Sequence, residues 1–141
     1  MLTRTMAARL LALISLFAAA TASAQIAPTP GSAFLDRMQT SVAKSIAAQD
    51  KTVEITLTGN VLTVLRVNSN QNGSSHEGRN NEATEIARVA VKAMAPDAKS
   101  SSVHTIRVQY MTRDSAHPEG SVIDTVEFRK NSKGEFEIHV T

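Results

Sequence analysis

The stretch VEITLTGNVLTVLRV, residues 53–67, decides the fold. Val53, Ile55 and Leu57 alternate with Glu54, Thr56 and Thr58, the two-residue period of a strand with one face buried. Gly59-Asn60 is a two-residue hairpin turn, and Val61 to Val67 is the return strand. Pairing across that turn sets Leu57 against Leu62 and Ile55 against Val64 on one face. The other face then holds Thr56 with Thr63 and Glu54 with Leu65. It also carries Val61, Leu65 and Val67, which points to partial cover there. A lone hairpin is not stable in water, so the flanking segments must supply the rest of a core.

On its N-terminal side the period changes from two to between three and four. Phe34, Leu35, Met38, Val42 and Ile46 form one apolar stripe, which predicts a helix from Ser32, an N-cap residue type, to near Gln49. On the C-terminal side, NSNQNGSSHEGRN, residues 68–80, contains no apolar residue and reads as a long loop. A second helix is expected over Glu82 to Ala95, with Ala83, Ile86, Ala87, Ala90, Ala93 and Met94 on one face and Pro96 ending it.

Three strands follow. Ile106, Val108 and Tyr110 mark the first. Val122, Val126 and Phe128 are expected inward in the second, and Phe136, Ile138 and Val140 in the third. Asp124 breaks the inward alternation, which predicts a bulge or strand end there. The order α-β-β-α-β-β-β gives the fold class: α+β, two helices packed on one face of a mainly antiparallel sheet. The opposite face, with Glu54, Thr56, Arg107, Gln109, Glu127, Glu137 and His139, is expected to be solvated.

Residues 1–24 read differently. Arg4 and Arg9 precede an apolar run from Leu10 to Ala20, and Ala22-Ser23-Ala24 supplies a small-x-small cleavage pattern. That order is a secretory signal peptide, so periplasmic or secreted localisation after cleavage following Ala24 is expected. The apolar run is too short for a transmembrane helix, and with no cysteine in the chain no lipid anchor can be attached to one. Residues 25–31 read as a flexible linker and 32–141 as a single domain. The leader holds two of the 15 Lys+Arg and none of the 13 Asp+Glu, so from Gln25 onward the charges balance at 13 against 13. The net +2 therefore carries no signal for a nucleic-acid partner.

The motifs of common chemistries are missing. There is no HExxH, no GxSxG, no P-loop and no GxGxxG. Neither a catalytic residue nor a cofactor is expected. The metal candidates are His76 and Glu77 in the first polar loop and Asp114, His117 and Glu119 in the second, and they need both loops to meet in space.

Thr52 to Arg113 resembles a pattern found in an uncharacterised family of small exported bacterial proteins. Its pieces are a hairpin ending in Val67-Asn68-Ser69, a polar loop, a helix with Glu85-Ile86-Ala87 and a strand with Ile106-Arg107-Val108. That family implies no catalytic residues. The helix-strand-strand-helix-strand order also resembles the BON domain, which implies contact with envelope or phospholipid surfaces. Gly59 falls at the hairpin as in that domain, while its later glycines are absent from Val61 to Val67. The expected function is a non-enzymatic binding module of the cell envelope, its partner a protein or envelope component. Contact is expected through the sheet face near Leu65 and Val67, through strand edges, or through residues 68–80. The alternative is a small metal-dependent hydrolase built on the loop residues.

Overall fold

A computed structural model describes residues 30–47 and 52–139. The expected leader, residues 25–29 and Val140 lie outside the described residues. The elements are α1 (Pro30–Ser45), β1 (Val53–Thr58), β2 (Val61–Val67), α2 (His76–Met94), β3 (Thr105–Thr112), β4 (Ser121–Lys130) and β5 (Phe136–His139). The protein is α+β, and its five strands lie in the order β1-β2-β3-β4-β5. Only β2 and β3 pair in parallel, because α2 carries the chain back between them; every other neighbour is antiparallel.

The hairpin has the register its sequence predicts, with Leu57 opposite Leu62 and Ile55 opposite Val64. Gly59 takes φ +58°, the left-handed conformation that a tight hairpin turn demands and glycine adopts at no steric cost.

Both helices begin earlier than expected. α1 starts at Pro30, so Pro30 and Gly31 belong to its first turn and not to the linker; proline's fixed φ suits that position. α2 starts at His76, six residues before Glu82. Ser75 is its N-cap, and its hydroxyl accepts the Gly78 N–H at 3.1 Å. The first turns of α2 carry no apolar residue, so hydrophobic period alone misses them. The expected loop shrinks to 68–75, half of it a 3-10 turn over Asn70–Gly73.

The core joins Phe34, Met38, Val42 and Ala43 of α1 to Ala83, Ile86, Ala87, Ala90 and Met94 of α2 and to alternate residues of β1 to β4. α1 contacts β1 and α2, while α2 contacts β3 and β4. The alanines keep α2 close to the strands beneath it.

Two strand residues expected inside are exposed. In β4 the register slips between Tyr110 and Met111, leaving Ile123 unmatched. This bulge sits one residue before Asp124. It sends Val122 to the face of Met111, where it is 54% exposed. Ile138 pairs with the buried Phe128, yet it is 47% exposed: the main sheet contacts of α2 are with β3 and β4.

Candidate functional site

The C-terminal ends of parallel β2 and β3 bring the two polar segments to the same end of the sheet. The Asn68 side chain bridges them, donating to the Arg113 carbonyl at 2.6 Å and accepting from its N–H at 2.8 Å. Asn72 Nδ2 donates to the Met111 carbonyl at 2.9 Å.

The candidate metal ligands nevertheless do not assemble. Asp114 Oδ1 accepts from the N–H groups of Ala116 and His117 and lies 3.3 Å from His117 Nδ1, so it closes its own turn. Glu77 and Glu119 are exposed. His76 turns to Asp124 instead, with Nδ1 2.7 Å from Oδ2. Among the described residues no group of three or more His, Cys, Asp or Glu could hold a metal.

What forms at this end is a chain of charges between α2 and the sheet. Arg79 Nε also donates to Asp124 Oδ2, at 2.7 Å, and its Nη1 reaches the Ser74 carbonyl. Tyr110 Oη donates to the Arg79 carbonyl at 2.9 Å. Beside it, Arg66 forks onto Glu82 at 2.8 and 3.3 Å and donates to Thr52 Oγ1 at 2.9 Å. Burial, then the neighbouring Glu82 charge, pushes the Tyr110 phenol well above its usual range. For Asp124, burial pulls upward, but the hydrogen bonds from Arg79, His76 and the Thr125 N–H outweigh it and hold the carboxyl below its ordinary value.

In this network the nearby serines are engaged away from His76. The Nε2 of His76 meets Asn80 Nδ2 at 3.2 Å, Ser75 Oγ caps the helix, and Ser74 Oγ donates to Gln71. A serine in contact with a base is what acyl-transfer chemistry requires. The network reads as a clamp that fixes α2 on the sheet.

The sheet face near Leu65 and Val67 is partly covered, as its apolar residues suggest. From the end of β3, Arg113 reaches Glu54 of β1 at 2.6 and 3.3 Å, and so crosses β2. Val67 and its register partner Met111 are only 7% and 5% exposed. Further along the same face, Arg107 of β3 pairs with Glu127 of β4 at 2.7 Å.

The open surface is at the other edge. A groove of about 440 Å³ runs between α2 and the β4–β5 hairpin, with Phe128 and Phe136 below, Ala87 and Val91 along the helix, and Arg88 and Glu135 at its rim. Among the described residues the exposed large apolar side chains are Val91, Val122, Ile123 and Ile138. Val91 lines the groove and the other three lie on β4 and β5. β5 ends the sheet, so one of its backbone edges has no strand beside it among the described residues. Alternation within the strands marks which side a residue faces, but not how far α2 extends to cover it.

No protein-family model matches this chain, and no curated protein matches it.

Proposed function

We propose that this chain is a non-enzymatic binding module, exported by its first 24 residues to the periplasm or beyond, whose contact surface is the β4–β5 edge and its groove. In this reading both helices cover one face of the sheet, and β5 projects past them as an open ledge. The partner is a protein segment in extended form. It adds main-chain hydrogen bonds along β5 and seats apolar side chains over Phe128 and Phe136. This arrangement fits the exported bacterial family and the BON-like order of elements that the sequence resembles.

The observation that carries the reading is an apolar groove with the exposed Val91 along it, next to the exposed Ile138 of β5, whose outer backbone edge has no strand beside it among the described residues. Scattered apolar residues are normal on a surface; an apolar groove beside a free strand marks a contact site. β5 also lacks the lysine or proline that commonly blunts an edge.

Site-specific photo-crosslinking in intact cells tests it. A crosslinker at Val91 or Ile138 should yield discrete protein adducts, while one at the exposed Asp36 of α1 should not. Equal labelling from all three positions, or none from any, refutes the reading.

A further inference from the structure

We propose that the segment seated on β5 is β5 of a second copy of this chain, paired antiparallel about a two-fold axis through Ile138. The inference rests on the reading of the β4–β5 edge as the contact surface.

The register follows from the hairpin. Asn131 N–H donates to the Glu135 carbonyl at 2.8 Å, and Arg129 and Glu127 lie opposite Glu137 and His139. In an antiparallel pair the bonding residues alternate, so Glu135, Glu137 and His139 direct their backbone groups at β4. Phe136 and Ile138 direct theirs at the free side. A self-pairing two-fold must therefore pass through a residue, because a half-step would oppose a free bonding group to an engaged one.

Four centres are available along β5, and charge chooses between them; centred on Phe136, the pairing sets Glu135 against the other copy's Glu137, carboxylate against carboxylate. Centred on Glu137, the pairing sets carboxylate against carboxylate; centred on His139, imidazole against imidazole. Centred on Ile138, it sets each Glu137 opposite the other copy's His139, twice over. Ile138 meets its own counterpart through two reciprocal N–H···O bonds. The acid–apolar–base run of Glu137, Ile138 and His139 is thus complementary to itself read backwards, as an isologous interface requires. Glu137 and His139 sit at non-bonded positions of the new ladder, where side chains approach closest. Asn131 Nδ2 donates to Glu137 Oε1 at 2.7 Å, which leaves the other carboxylate oxygen available to the histidine. The 47% exposed Ile138 would be covered by its twin. At the opposite edge β1 offers no match: Glu54 is engaged by Arg113, and among the described residues neither β1 nor α1 carries an exposed large apolar side chain.

Sedimentation equilibrium of the exported chain tests the pairing. A dimer is expected, with a dissociation constant raised about tenfold or more by His139→Glu, which opposes carboxylates at two places. The exchange Glu137→His with His139→Glu should restore affinity to within about threefold, since it rebuilds both pairs in reverse. A chain that stays monomeric at about 0.1 mM, or a dimer indifferent to His139→Glu, overturns the inference. A photo-crosslinker at Ile138 separates the two readings. An adduct of twice the chain mass supports the dimer. An adduct with a different protein only overturns the second copy and leaves the contact surface standing, and no adduct at all overturns both.

Discussion

Replacing Arg66 by methionine is the sharpest probe of how this domain is held together. Its side chain is 3% exposed and that of Glu82 is 12%, and they form a forked pair at 2.8 and 3.3 Å. Removing the arginine leaves the Glu82 carboxylate in a poorly hydrated site beside the buried Tyr110. Breaking a buried pair in this way costs about 3–5 kcal/mol, because the remaining charge has lost its partner and cannot recover its water. Domains of this size are stable by about 5–15 kcal/mol, so Arg66→Met should bring a large fraction of the chain near unfolding. The double variant Arg66→Met with Glu82→Met should lose less than the sum of the singles, with a coupling of about 1–3 kcal/mol. Urea unfolding followed by circular dichroism measures both quantities. A loss below about 1 kcal/mol for the single variant, or additivity within about 0.5 kcal/mol, would show that the pair is not the buried clamp described.

Ile86 is fully buried, so Ile86→Ala should cost about 2–5 kcal/mol in the same assay, whereas the half-buried Leu57 should lose only about 1–2 kcal/mol; equal losses would misplace the core. Gly120 has φ +77°, and a Cβ there would stand 2.7 Å from the Thr112 carbonyl and 2.5 Å from Met111 Cε. Gly120→Ala should therefore cost more than about 1 kcal/mol, and an unchanged urea midpoint would refute that packing. Asp124 is held low against its burial by Arg79 and His76, and Glu127 is held low first by Arg107. A carboxyl lowered in the folded state contributes stability above its unfolded value and loses it as pH falls through the folded one, so stability should drop below about pH 4. Asp124→Asn should flatten that acid limb, and a limb of unchanged slope would rule out Asp124 as a contributor.

The hairpin at 53–67 was legible because three local signals agree: alternation, a turn glycine and opposed apolar pairs. The start of α2 was not, because His76 to Asn81 offers only a cap at Ser75 and an acidic first turn, both weaker signals than a hydrophobic stripe. Strand parity did carry a clue to the clamp. Arg66 shares the inward parity of Leu62 and Val64, and Asp124 that of Val126 and Phe128. A charge at an inward position calls for a partner on whatever covers it, and α2 provides both. Naming those partners was out of reach, since Asp124 and Arg79 are brought together only by the crossover through α2. Of the candidate metal ligands, His76 takes part in a contact between elements, and its partner is a sheet aspartate.

The clamp also bears on where the groove opens. From Arg79 to Ala87, α2 advances eight residues, about 12 Å of helix. From Asp124 to Phe128, β4 advances four residues, about 13 Å of strand. Arg79 is bonded to Asp124, and Ala87 and Phe128 line the groove together, so helix and strand run side by side and in step between the two places. α2 makes its main sheet contacts with β3 and β4, and shares the groove with Phe136 of β5. The same placement that buries Ile86 and Ala90 leaves Ile138 and the β5 edge uncovered. A charged clamp at one end of α2 thus sets the register that exposes an apolar ledge at the other. If β5 is the contact surface proposed above, Asp124→Asn should weaken the dimer in sedimentation equilibrium without touching any residue of the groove, and an unchanged dissociation constant would refute the coupling.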